Sequence, residues 1–172
     1  MCDQITSLGE GGTGKSCLIK RYCEERFVQR YISTIGVDFG VKPVQIYDYQ
    51  VKVNFWDLSG HPEFFEVRNE FYKDTQGAML VYDISNRKSF EALNMWLKEA
   101  AKFAGSTSGI VFVVCGNKSD KKRVVPEAEG RQWADQHGFR FFETSAKSGE
   151  NVGEMFEFLF TAVVESIPGL ID

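Results

Sequence analysis

The sequence has no surplus of positive charge, no cysteine framework and no long apolar run, and each absence removes a class of function. Lys and Arg number 20 against 24 Asp and Glu, a net charge of −4, so the chain lacks the broad basic face that tracks a nucleic-acid backbone. Lys121-Lys122-Arg123 reads most simply as a solvated loop. Cys2, Cys17, Cys23 and Cys115 show neither metal-ligand spacing nor a disulfide pattern, which points to a reducing, cytoplasmic setting. No stretch has the length and apolarity of a membrane span, and no signal peptide is visible. The last residues, Pro168 to Asp172, contain no cysteine to carry a prenyl group. No intrinsic lipid anchor is therefore expected, and attachment to a membrane would depend on partners unless the chain is a shortened one. Repeats, low-complexity tracts and linkers are missing as well. With 172 residues, 43% hydrophobic and 26% charged, the expectation is a single domain over residues 1–172, a monomer around one compact core.

What is present is an alternation of strand and helix. Helices are expected over 15–25, 87–103, 126–137 and 151–166, and strands over 38–47, 50–57, 77–84, 110–116 and 139–143, with 38–57 forming a hairpin. Phe90, Leu93, Leu97 and Ala101 line one face of the second helix, Pro126 opens the third, and Val152, Met155, Phe156 and Leu159 point inward from the last. Such a pattern builds right-handed crossovers around a mostly parallel sheet, an α/β fold of six strands, one of them antiparallel, flanked by about five helices. The first strand departs from this scheme. A buried central strand should be aliphatic, yet Asp3-Gln4-Ile5-Thr6-Ser7-Leu8 is largely polar, which suggests an unusual start and leaves its register open.

Directly after that strand, Gly9-Glu10-Gly11-Gly12-Thr13-Gly14-Lys15-Ser16 matches G-x-x-x-x-G-K-[ST]. Its four glycines let successive N–H groups converge, the next helix points its positive end at the same volume, and Lys15 adds a full charge. A polyphosphate suits that cradle, with Gly11, Gly12, Thr13, Gly14, Lys15, Ser16 and Cys17 around it and the Ser16 hydroxyl available to a magnesium ion. The alternative is a glycine-rich turn that merely caps a helix.

Asn117-Lys118-Ser119-Asp120 follows the apolar run Ile110 to Cys115 and so falls at the carboxyl end of a buried strand, where ligands sit in open α/β sheets. The Asp120 carboxylate can accept from a ring N–H and an exocyclic amine together, a pairing that guanine presents and adenine does not. A third element, Thr144-Ser145-Ala146-Lys147, combines small residues that would let the Ala146 N–H approach the base oxygen.

Taken together, residues 4 to about 166 resemble the Ras superfamily of small GTPases, with the fold of the P-loop NTPase small G domain. Ile35-Gly36-Val37-Asp38-Phe39 and Phe55-Trp56-Asp57 resemble its Rab branch. Arg21-Tyr22-Cys23-Glu24, Gly60-His61-Pro62 and the stretch Glu66 to Gly77 are similar to the Rab-like group often joined to a DnaJ domain. The His-Pro-Asp signature of a J domain is missing, since Pro62 is followed by Glu63. The resemblance implies bound GTP or GDP with Mg2+. It further implies that Asn117 ties its loop to the phosphate loop, the Lys118 stem covers one face of the base, and Phe27 covers its edge. Effectors, exchange factors and GTPase-activating proteins would dock on residues 27–40 and 57–76.

The connection Phe27 to Gly36 is longer than a typical αβ loop, which marks it as functional or disordered. Thr34 within it is the candidate sensor of the third phosphate, by hydroxyl to magnesium and N–H to a γ-oxygen; a plain loop threonine is the alternative. Asp57-Leu58-Ser59-Gly60 matches D-x-x-G, with Asp57 holding a magnesium-bound water and the Gly60 N–H free to swing toward the phosphate. Ile35, Phe39, Trp56, Phe64, Phe65 and Tyr72 would be read by partners or belong to the core. His61 stands where most Ras-like proteins carry glutamine. Glutamine orients the attacking water with one donor and one acceptor, whereas histidine offers a different geometry and Pro62 stiffens the chain beside it. Translational GTPases also use D-x-x-G-H and hydrolyse rapidly when a partner positions the histidine, so the substitution does not by itself abolish catalysis; slow intrinsic hydrolysis is the expectation, with His61, Gly60 and Lys15 as the catalytic set and a non-hydrolysing scaffold as the alternative. Gly11 and Gly12 leave room for a partner's arginine, Arg30 is a weaker candidate in cis, and His137 reads as a surface or capping histidine.

Overall fold

The computed structural model describes residues 2–24, 37–58, 60, 72, 74–104 and 109–169. Its elements run β1 (Cys2–Leu8), α1 (Lys15–Glu24), β2 (Val37–Ile46), β3 (Tyr49–Leu58), β4 (Gly77–Asp83), α2 (Arg87–Glu91), α3 (Leu93–Ala104), β5 (Val111–Asn117), α4 (Glu127–His137), β6 (Arg140–Glu143) and α5 (Val152–Glu165). The six strands form one sheet in the order β2-β3-β1-β4-β5-β6. Only β2 and β3 pair antiparallel; β1 pairs parallel with both β3 and β4, and β5 and β6 continue in parallel. The chain therefore winds outward in both directions from β1, and the crevice for a ligand lies where that direction reverses, at the carboxyl ends of the strands.

Side-chain alternation on the inner strands divides the interior into two layers. Met79, Val81, Val113 and Cys115 face one cluster with Ile5, Val53 and Phe55, closed by α1 and α5 through Leu18, Met155, Phe156, Leu159, Phe160 and Val163. Ala78, Leu80, Tyr82, Phe112 and Val114 face the other, closed by Phe90, Leu93, Trp96, Ala100, Trp133 and Ala134. Gly77 permits the close seating of α5, because a Cβ there would lie 2.8 Å from Ile5 and 2.9 Å from Val163.

The polar first strand proves to be a regular central strand whose register is defined, from Cys2 opposite Lys52 to Ser7 opposite Asp57 and from Ile5 opposite Gly77 to Leu8 opposite Leu80. Gln4, Thr6 and Ser7 have partners across the sheet. The Gln4 N–H donates to Gln76 Oε1 at 2.8 Å, Trp56 Nε1 donates to Gln4 Oε1, Thr75 Oγ1 lies 3.4 Å from Thr6 Oγ1, and Ser7 Oγ donates to Asp57 Oδ1 at 2.9 Å. Thr6 and Ser7 are buried, and satisfied polar groups can occupy a core that unsatisfied ones could not.

Two helix readings need correction. The expected helix over 87–103 is divided at Ala92 into α2 and α3, so five helical segments among the described residues flank the sheet as four bodies. Its buried face carries Trp96 and Ala100 beside Phe90 and Leu93; Ala101 is exposed and Leu97 only partly covered, because the break shifts the helical phase. Pro126 is the extended residue before α4, φ −60° and ψ 144°, and Gly138 closes that helix in the left-handed region at φ 73°. Seven buried residues, Val152, Met155, Phe156 and Leu159 among them, line α5.

Candidate functional site

All the motif segments that the structure describes meet at one edge, because parallel strands deliver their carboxyl ends there. The glycine loop leaves β1, with Gly9, Gly12 and Gly14 at φ 148°, 81° and 96°. Glycine is required at 9 and 14 for a second reason: a Cβ would lie 2.2 Å from the Val81 carbonyl oxygen at one and 2.3 Å from Asn117 Nδ2 at the other. A Cβ at Gly12 would meet nothing within 4 Å. Lys15 is buried, its Nζ donating to the carbonyls of Gly9 at 2.8 Å and Glu10 at 2.9 Å. The ammonium is thereby held inside the concavity of its own loop, and Thr13 Oγ1 braces the same turn by donating to the Glu10 carbonyl at 2.9 Å.

Ser16 and Cys17 open α1. Ser16 Oγ donates to Asp57 Oδ2, so the hydroxyl and the carboxylate at the end of β3 face one another, and Asp57 is buried. Hard oxygen donors of this kind suit Mg2+, which usually takes one or two carboxylates and completes its shell with phosphate and water. Among the described residues no group of three or more His, Cys, Asp or Glu is placed to hold a metal ion by itself. Cys17 is half-buried, and burial pushes its thiol up from the ordinary value.

Asn117 spans the cleft from the end of β5. Its Nδ2 donates to the Thr13 carbonyl at 2.9 Å and its Oδ1 accepts from Thr144 Oγ1 at 3.1 Å, so one buried amide joins three segments distant in sequence. Lys118, in the left-handed region at φ 64°, donates to the Gly12 carbonyl at 2.6 Å and pairs with Asp83 Oδ2 at 3.2 Å. Holding a non-glycine residue there costs about 1–3 kcal/mol and marks an over-determined position. Asp120 accepts from Ser145 Oγ at 2.7 Å, Ala146 is buried, and Lys147 is exposed beside it. The Ser119 N–H donates to the Thr144 carbonyl at 3.0 Å and locks the second loop onto the third.

Gly60 packs on the glycine loop: a Cβ would lie 2.4 Å from the Gly9 oxygen, 2.5 Å from the Gly11 nitrogen and 2.6 Å from the Glu10 carbonyl carbon. Phe27, Thr34 and His61, with Arg30, Ile35, Gly36, Pro62, Phe64 and Phe65, lie outside the described residues. Tyr72 belongs to the core, its hydroxyl donating to Glu99 and its ring stacked on Phe103 at 6.4 Å. Trp56 is half-buried. His137 closes α4, with Nδ1 2.8 Å from the Trp133 carbonyl oxygen.

Sequence reading missed three groups at this edge. Ser7 orients Asp57, Asp83 holds Lys118, and Trp96 Nε1 donates to Glu10 Oε1 at 3.1 Å. Asp83 had a visible signal, an acidic residue ending an apolar strand as Asp57 does. Trp96 had none.

The sheet order, the glycine loop after the central strand and the two braced loops beyond it define a small G domain of the P-loop class. The sequence model of the Ras family matches residues 4–165, and the chain belongs to that family. Similar proteins are DnaJ homolog subfamily C member 27 of Danio rerio, 54% identical over 167 residues, and its counterparts of Gallus gallus and Homo sapiens, 53% and 52% identical. The matches cover 94% of this chain and 61% of each relative. The chain thus spans about three-fifths of the length of these relatives. Ras-family proteins are in general GTPases that use Mg2+ with their nucleotide and bind regulators and effectors.

Proposed function

We propose that this chain is a Rab-like, magnesium-dependent GTP-binding switch, one G domain over residues 1–172 that hydrolyses GTP slowly and acts as a monomer. The observation that carries the reading is the Asn117 bridge, in which the loop chosen for base selectivity and the loop chosen for phosphate are joined through the 2.9 Å contact to Thr13. Gly11, Gly12, Thr13 and Gly14 supply backbone donors to the phosphates, and Lys15 offsets their charge. Asp120 reads the guanine N–H groups while Ser145 holds its carboxylate in place. Ala146 contributes its N–H to the base oxygen, and Cys17, Lys118, Lys147 and Phe27 line the nucleotide.

Ser16, Asp57 and Thr34 would hold the Mg2+ ion, which when bound would supply positive charge against that developing on the phosphates. Thr34 and Gly60 respond to the third phosphate, so residues 27–40 and 57–76 present different surfaces to effectors, exchange factors and GTPase-activating proteins. His61 orients the attacking water less effectively than glutamine would. The setting is cytoplasmic, with nuclear or membrane association through partners, in intracellular transport or signal transduction.

Single-turnover hydrolysis by the wild type, His61→Gln and His61→Ala tests the enzymatic half. Acceleration by His61→Gln of about tenfold or more, a change of about 1.4 kcal/mol in barrier, is expected. Equal rates in all three would remove His61 from the reaction path, and negligible turnover in all three would favour the GTP-bound scaffold. Asp120→Asn should weaken GDP and GTP binding by about a hundredfold, through loss of charge-assisted hydrogen bonds. Unchanged nucleotide choice would refute guanine selectivity.

A further inference from the structure

Glu10 places a carboxylate on a loop built to receive anions. Its own carbonyl accepts from Lys15 Nζ at 2.9 Å, so its side chain starts next to the ammonium that phosphate must engage. A carboxylate free to turn inward would compete for Lys15 and repel a polyphosphate over the same few ångströms. It is held elsewhere: Trp96 Nε1, from the buried face of α3, donates to Glu10 Oε1 at 3.1 Å. The Glu10 backbone is also the wall against which Gly60 packs. Phosphate loop, Gly60 and α3 thus meet at one acidic residue.

We infer that Trp96 is a positioning residue for nucleotide binding: its indole N–H draws the Glu10 carboxylate onto α3 and keeps it from occupying Lys15. The inference rests on the guanine-nucleotide reading above and extends it to a residue of α3 outside the loop motifs. Trp96 is fully buried, and indole is a donor only, so it can hold a carboxylate but has nothing to offer a phosphate-bound cation.

The test measures release of mant-GDP, in magnesium buffer, from the full chain carrying Trp96→Phe, Glu10→Gln, the double substitution, or Glu10→Asp. Trp96→Phe keeps an aromatic ring but removes the donor, and release should accelerate about ten- to a hundredfold, in keeping with one hydrogen bond to a charged acceptor. In the Glu10→Gln background the same Trp96→Phe change should alter release less than about twofold, since no charge remains to be restrained. Acceleration that persists in the double variant would show a packing role for Trp96 and overturn the inference, as would no acceleration in Trp96→Phe. Should Trp96→Phe fail to fold by circular dichroism, Glu10→Asp decides: its shorter arm leaves the indole but keeps the charge, so release should be faster than from Glu10→Gln, and equal rates would overturn the inference. A wild-type chain that retains no mant-GDP would instead refute the nucleotide reading itself.

Discussion

Asn117 shows how much of the site depends on one amide. Its donor holds the Thr13 carbonyl and its acceptor holds Thr144 Oγ1, both out of solvent. Asn117→Ala strands those partners, at a cost of about 1–3 kcal/mol. Chemical denaturation should show that loss, and calorimetry should show nucleotide affinity falling at least about tenfold; an unchanged midpoint would mean the bridge contributes nothing. Gly60 is constrained in a different way, since any Cβ would enter the backbone of residues 9 to 11. Gly60→Ala should therefore push residue 60 off the glycine loop, slowing GTP hydrolysis while GDP binding persists, as separate binding and turnover assays would show.

Among secondary-structure elements, β1 and the seating of Tyr82 from β4 are the informative ones. Partners for Gln4, Thr6 and Ser7 come from β3 and from the segment before β4, which explains a polar central strand that composition alone makes implausible. Tyr82 in β4 is the converse: its hydroxyl is buried with no hydrogen-bond partner among the described residues. It lies 2.8 Å from where a Cβ at Gly116 would be and 2.2 Å from one at Gly130, so β5 and α4 both accommodate it with glycine. Burial pushes its phenol up from the ordinary value. Tyr82→Phe retains the ring contact with Phe90 and removes the orphaned hydroxyl, so stability should rise by about 1–2 kcal/mol in denaturant titration; a loss would point to a bound water.

For the molecule as a whole, the buried layer between sheet and helices sets the response to alkali. Burial holds the Cys115 thiol up at about 12, from an ordinary value of 9.0. A group whose folded value is raised contributes stability fully present below its unfolded value and lost as pH rises through the folded one. Stability should therefore hold below about pH 9 and decline toward about pH 12, a window set by those two values. Cys115→Ala should flatten that decline in thermal melts between pH 8 and pH 11, and native Cys115 should resist thiol reagents at neutral pH. Tyr82 acts in the same direction at higher pH, its phenol being held neutral by the same burial.

The order of strands and helices, the glycine loop and the two later motif segments are legible in the chain because each is local: periodicity of apolar residues, glycine where backbone must turn, charge beside it. The phase of α3, the integrity of β1 and the Trp96 contact with Glu10 are not, because each depends on residues brought together across the sheet. Ser7 and Gln4 look out of place until Asp57, Trp56 and Gln76 supply their bonds. Glu10 looks like a loop residue until α3 is laid beside it 86 positions later. Local pattern selects an element; burial and hydrogen-bond satisfaction, which are properties of the packed chain, select the partners.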